Sequence, residues 1–574
     1  MEKKNHSPEE HTKNTHVGKK PRPVPESMVL PPLINDANAI AEVIGFSGDI
    51  LTFYSFCISS KLIYELCKEN PDLRKRKAFL IRKQESVMTD DNIRDCVSDW
   101  IEDRDRVKNT LLHISEWDVS AVTNMKFLFK FKDFNEDLSH WDVSKVTNME
   151  GMFFGGASFN QPVGTWNVSN VTTMFNMFYE ATDFNQEIGG WDVSKVTTME
   201  GMFDGATSFD QALCKWDVSN VTNMRSMFYN ATSFAQPLAE WGLKTSNVTT
   251  MFNMFMGATN FDQPLAEWTV KNVLNMSGMF FCATSFDHPI GTWDVSNVVH
   301  MWRMFGGATS FDQPIGTWNV KNVTGMQSMF RAATSFNQEI DTWDVSEVTT
   351  MEGIFSGATS FNQPIGTWNV ANVTNMEKMF YNAPNFNQPI GTWDVSNVTN
   401  MSGMFFGATS FDKPIGAWDV SNVTQTQRMF ANAPSFNQSL ADWGDKTSKV
   451  NYMIEMFCGA AKFNGPIGTW NVSNVTDMDS MFRAATSFDQ PLAEWDVSNV
   501  IYMRGMFREA TSFDHPIEDW KVSNVTNMEE MFRDATGFNQ YLGRWDIRNV
   551  NRMDDVFLGA SRIVDTPTNL FAPS

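Results

Sequence analysis

The stretch from Trp393 to Ala417, WDVSNVTNMSGMFFGATSFDKPIGA, decides how this chain folds. Its apolar residues follow two periods. Ile390, Trp393 and Val395 have L-x-x-L-x-L spacing, and the two-residue step from Trp393 to Val395 predicts a short strand with alternate side chains pointing inward. Val398, Met401, Met404, Phe405 and Ala408 then recur at three or four, which predicts the buried face of a short helix. Thr399 precedes Met401, and the equivalent Thr147, Thr197, Thr374 and Thr526 are each followed three residues later by Glu150, Glu200, Glu377 and Glu529. That is the pattern of a capping box, in which hydroxyl and carboxylate satisfy the free N–H groups of a first helical turn. Gly407, like Gly155 and Gly205, reads as the helix stop, and Phe411 and Pro414 lead back to the next strand.

This unit is one of many. A tryptophan recurs at Trp117, Trp141, Trp166, Trp191, Trp216, Trp241, Trp268, Trp293, Trp318, Trp343, Trp368, Trp393, Trp418, Trp443, Trp470, Trp495, Trp520 and Trp545, in steps of 25 residues apart from one of 24 and two of 27. The repetition explains a composition of 20 Trp, 47 Phe and 36 Met against 8 Tyr. A single unit cannot bury enough apolar surface to offset the ordering of its backbone, so the units must stack, with side-chain columns running through the array. The expectation is an α/β repeat solenoid with one short strand and one short helix per coil and about 18 coils from Trp117. The two longer steps, around Trp241 and Trp443, replace DVS with a Gly-containing insertion and predict bulges in the strand ladder.

The phrase WDVSNVTNM-xx-MF-xx-ATSFNQPIGTW resembles the BspA-type leucine-rich-repeat surface proteins and the mycoplasma lipoprotein-type repeats, from about Asp90 to Ala560. The lead-in from Ile93 to Trp117 resembles the cap of such arrays. The resemblance implies a leucine-rich-repeat-like solenoid with interaction or adhesion roles. Five regions follow: a disordered tail at 1–29, a helical segment at 30–85, the solenoid's N-terminal cap at 86–116, the solenoid at 117–560 and a C-terminal tail at 561–574. In the second, Gly48-Asp49-Ile50-Leu51 through Phe56, Ser60, Lys61 and Leu66 resembles an F-box, which implies docking on a ubiquitin-ligase adaptor. The other reading is an ordinary helical cap. The run Arg74-Lys75-Arg76-Lys77 reads either as a solvated helix face or as a nuclear-import signal.

Charge and cysteine usage narrow the function. Formal net charge is −22, and because residues 1–85 hold 14 basic and 11 acidic side chains, the remainder carries −25. A body so acidic repels nucleic acid phosphate and anionic membrane, so neither is expected as a partner. Cys57, Cys67, Cys96, Cys214, Cys282 and Cys458 are dispersed, as in a reducing compartment. The polar stretch 1–27 lacks an apolar core of leader type, and no apolar run approaches the ~18 residues of a membrane span. The expected location is cytoplasmic or nuclear.

No catalytic constellation is present in the sequence, and the expectation is a non-enzyme without cofactor or metal. The acidic column after the tryptophans, such as Asp142, Asp192, Asp294 and Asp394, alternates with Asn167, Asn319, Asn369 and Asn471. It therefore needs a side-chain oxygen more than a charge, and a turn bonded to the following Ser supplies the reason. A second column, Asn160, Asn362, Asn387 and Asp412, reads the same way. His288 and His515 stand where other coils have Gln, and sequons such as Asn170-Val171-Thr172 read as structural. The candidate binding surface is the variable position after each core Phe: Phe154, Tyr179, Tyr229, Met256, Phe281, Tyr381 and Phe406, then Arg483, Arg508 and Arg533, interrupted by Arg331. It predicts an aromatic stripe followed by a basic patch, the composition of an interaction surface. The function expected is a protein-interaction scaffold, coupled to ubiquitin ligation if 30–85 is an F-box; the alternative is a cell-surface adhesin-like binding protein.

Overall fold

The computed structural model describes residues 71–563. The chain divides into two units, Met1–Ile81 and Arg82–Ser574. The tail at 1–29, the F-box-like motif and the end of the C-terminal tail lie outside the described residues. The basic run lies on helix α1 (Pro71–Glu85).

The second unit begins with a cap. Helix α2 (Ile93–Glu102) buries Ile93, Val97 and Trp100, and the short α3 (Arg104–Val107) adds Val107. Glu136, from the first coil, holds the cap in place. It accepts a hydrogen bond from Trp100 Nε1 at 3.1 Å and pairs with Arg104 at 3.1 Å. Ahead of α2, Val87 pairs with Asp118 in a parallel bridge, and the Asp90 carboxylate accepts hydrogen bonds from the Thr123 amide, the Thr123 hydroxyl and the Asn124 amide. These contacts close the open edge of the first coil.

From there the coils stack. Parallel bridges link Asn124 to Asn148, Asn148 to Thr173, Thr173 to Thr198 and so on without a gap to Arg552. Every tryptophan of the file is buried, and neighbours such as Trp166 and Trp191 lie 6.5 Å apart and 3° from parallel. From Trp141 onward each indole Nε1 of the file donates to a carbonyl 27–30 residues earlier, as Trp393 does to Ile365 at 3.1 Å. Two phenylalanine files run beside it: Phe153 stacks on Phe178 at 5.6 Å, Phe159 on Phe184 at 6.0 Å, and the files touch where Phe153 meets Phe159 at 3.8 Å.

The predicted helix is absent. The segment 149–156 is instead a train of turns. Met152, Phe154 and Gly156 donate to the carbonyls three residues back, while Met149, Gly151, Phe153 and Gly155 donate to Thr173, Phe175, Met177 and Tyr179 of the next coil at 2.6–3.2 Å. Gly151 and Gly155 take positive φ, +56° and +68°, as the third position of a type II turn requires. The physical reason is spacing. Helices packed side by side need roughly 8–10 Å between axes, whereas strands stack at about 4.8 Å. Turns give the core the same three-and-four spacing as a helix and let every second amide bond the coil above.

The predicted strand is corrected in the same way. No regular strand forms over the Trp–Val segment; the bridge residues lie further on, at the position just before the first methionine, as Asn400 before Met401. The capping boxes do not form either. The Thr172 hydroxyl donates to the Thr147 carbonyl of the preceding coil at 3.1 Å, and the Glu150 amide donates to Asn148 Oδ1 at 2.9 Å. At the insertions the ladder has no bulge. The extra residues form 3-10 turns, Ala239–Thr245 and Ala441–Thr447, pinched at Gly242 and Gly444, and bridges continue on either side.

Candidate functional site

The turn train sets which side chains can meet a partner. Within it the first methionine, the second methionine, the phenylalanine after it and the alanine are buried; the residues between them range from buried, as at the small Ser277, to half-buried or exposed where large. One row follows the first methionine, half-buried at Phe252 and Trp302 with Ser277 buried between them. A second row follows the core phenylalanine, and it contains the residues selected from the sequence.

That second row is discontinuous. Phe154 and Tyr179 are half-buried and stack on each other at 4.3 Å; Tyr381 and Phe406 stack at 4.5 Å. Tyr229, Met256 and Phe281 are half-buried between these pairs. Asp204 separates Tyr179 from Tyr229, and beyond Phe281 the row continues as Gly306, Arg331 and Ser356. The glycine makes room for its neighbour, since a Cβ at Gly306 would meet the Phe281 ring at 2.9 Å.

Two of the three arginines of the expected basic patch pair with carboxylates. Arg508 pairs with Glu509 at 3.1 Å and with Glu530, and Arg533 pairs with Glu530 at 2.6 Å and with Asp555 at 3.2 Å. Arg483 is exposed. The arginines at 508 and 533 are matched by carboxylates from adjacent rows, which one column read in isolation does not reveal.

Burial shapes one carboxyl strongly. Desolvation, with the Glu180 carboxylate second, pushes Asp204 up to about 7. The turn aspartates behave oppositely. Hydrogen bonds from the Ser396 hydroxyl and amide hold Asp394 below the ordinary carboxylate range, the amide donating to Asp394 Oδ1 at 3.1 Å.

The other sequence columns also find their partners. The Asn160 column differs from expectation, since it links coils: Asn160 Oδ1 accepts from the Asn185 amide at 3.0 Å and from Gln186 Nε2 at 2.8 Å. His288 Nε2 lies 3.1 Å from the Asp262 carbonyl, in the place of such a glutamine. The sequon Asn170 donates its Nδ2 to the Ser144 carbonyl at 2.8 Å, so its side chain is engaged between coils. Among the described residues no group of three His, Cys, Asp or Glu could hold a metal ion, and no helix is long and apolar enough to cross a membrane.

The first outward row is not among the residues selected from the sequence. Phe252 and Trp302 meet edge to face at 5.5 Å across the small, buried Ser277. The Arg225 guanidinium lies 4.7 Å from the Phe252 ring, and Arg303 lies 5.7 Å from that of Trp302. Beside them Leu274, 52% exposed, stands where most coils have Thr. The signal was available as departures from the repeat.

The repeat is also recognisable in other chains. A family model described as "Mycoplasma protein of unknown function, DUF285" matches over residues 102–214, 168–263, 210–314, 243–338, 304–397, 361–467 and 452–569. The chain belongs to this family. Among curated proteins none matches. Solved structures similar to the DUF285 array include the Toll–Spatzle complex of Drosophila, at 9% identity, TM-score 0.21, covering 69% of this chain and 57% of that one. A leucine-rich-repeat protein of Leptospira interrogans matches at 6% identity and TM-score 0.16, covering 67% and 87%, and a plant peptide hormone receptor at 8% and 0.19, covering 76% and 90%. The DUF285 chain spans 57% of the length of the matched chain in the Toll–Spatzle complex.

Proposed function

We propose that this chain is a non-catalytic scaffold whose stacked coils present their outward rows to a protein partner. The observation that carries this reading is that Leu274 is exposed and Phe252 and Trp302 only half-buried, outside the continuous buried files of the stack. Rigid frames with aromatic and arginine side chains at the surface have the composition of binding hot spots. The resemblance to BspA-type repeat proteins supports the same role.

The test is affinity capture with the full chain, comparing wild type with a variant in which Tyr179, Tyr229 and Phe281 are changed to Ser. Partners held by the second row will be lost; partners retained by the variant would exclude that row. Two narrower proposals remain attached. If residues 30–85 act as an F-box, the chain is a ubiquitin-ligase substrate adaptor, and co-purification of the ligase adaptor with the full chain decides it. A cytoplasmic or nuclear location is supported by the dispersed cysteines, and protease shaving of intact cells would expose a surface location instead.

A further inference from the structure

We propose that Phe252, Trp302 and Leu274, with Arg303 and Arg331, form a docking site for an acidic peptide segment that carries an apolar residue. The proposal rests on the scaffold reading and names one site and one class of partner for it.

Two departures from the repeat fall in the same few coils. Thr249 and Thr374 each donate a hydroxyl to the preceding coil, at 3.1 and 3.2 Å, whereas Leu274 and Val299 occupy that column without a hydroxyl and forgo the bond. Trp302 and Phe252 are half-buried rings where other coils have Glu200, Glu352 or Glu377, so each still leaves apolar surface at a position that charged side chains fill elsewhere. Arg303, with φ +56°, stands in a variable column that holds Lys378 and Arg428 in the same conformation elsewhere, and here it adds a cation between Gly278 and Ser328. The first change forgoes a bond of the stack, and together with Arg303 the two add apolar and cationic surface to the same few coils.

Charge selects the occupant. Arg225 has a carboxylate near it, Glu200 at 3.7 Å. Among the described residues, Arg303 and Arg331 have no ion-pair partner, in a unit rich in carboxylates. A partner's carboxylates would complete them by charge-assisted hydrogen bonds, and an apolar side chain would cover Leu274 and the Phe252–Trp302 pair. Four coil steps separate Arg225 from Arg331, about 19 Å at strand spacing, the reach of about six extended residues. A nucleic acid strand would extend its phosphates onto the flanking Glu200 and Glu352, which disfavours it.

The test is to pan a random displayed-peptide library, about 12 residues long so as to exceed that reach, on the immobilised full chain. Selected peptides are expected to carry Asp or Glu beside an apolar residue, to weaken at least tenfold on W302S/R303S and on R303E/R331E, and to be unaffected by Y502S, an exposed aromatic elsewhere on the array. Peptides that bind all variants equally would overturn this site while leaving the scaffold reading intact. Basic peptides, or an oligonucleotide lost on the same variants, would overturn the partner class. No selected peptide at all would overturn this proposal, and absence of any protein in the capture experiment would remove the scaffold reading separately. Circular dichroism melts of the variants check that each remains folded.

Discussion

Asp204 shows how far one side chain's surroundings can be read in this array. It lies in the row between Tyr179 and Tyr229, where burial and the Glu180 carboxylate raise it to about 7. An unfolded aspartate titrates near 3.9, so between roughly pH 4 and 7 the folded chain keeps a proton that the unfolded chain has lost. Stability therefore falls as pH rises through that window and levels off above it. Asp204→Asn removes the proton uptake, and we expect its melting temperature to exceed that of wild type at pH 8 and to approach it at pH 5. Thr426 gives a second test. It occupies a buried methionine position and leaves a small apolar void among Met401, Val423, Met453 and Trp470. Filling it with Thr426→Met should raise stability by about 1 kcal/mol, read as a higher melting midpoint. The turn aspartates were legible in the sequence because their bond spans two residues. Asn160 was not, because its partners lie 25 and 26 residues away.

At the scale of the element, helix and turn train place the same residues in the core. Met401, Met404, Phe405 and Ala408 have helical spacing, and nothing within one coil distinguishes the two conformations. The neighbouring coil decides, by offering carbonyls to Met376, Lys378 and Phe380 from Asn400, Ser402 and Met404. Such a ladder needs a stop at each end. Asp90 supplies one, and although burial acts to raise it, hydrogen bonds from Thr123 and Asn124 outweigh burial and hold it below the ordinary carboxylate range. We expect Asp90→Ala to speed hydrogen exchange at the Thr123 and Asn124 amides while leaving Phe405 and Phe430 protected, because only the first edge loses its acceptors. Unchanged exchange at Thr123 would show that the carboxylate does not close the ladder.

For the whole molecule, the 25-residue period was legible at once, since every tryptophan must return to the same file. The binding surface was not, because it depends on which rows lie side by side across several coils, as the Arg508–Glu530 pair and the Phe252–Trp302 contact show. A stacked array tolerates the loss of a complete unit. Excision of residues 394–418 joins Trp393 to Asp419 in register, and we expect a folded chain by circular dichroism; excision of 394–405 shifts every file and should abolish the cooperative melt. The central claim is the stacking itself. Its most direct test is a set of spin-label distances from Thr165 to Thr292, Thr392 and Thr469, which occupy equivalent exposed positions five, nine and twelve Trp steps apart, in a chain with its other cysteines replaced. The account predicts distances that grow with the number of steps, by about 4.8 Å each before curvature. Distances that do not increase along the series would contradict it.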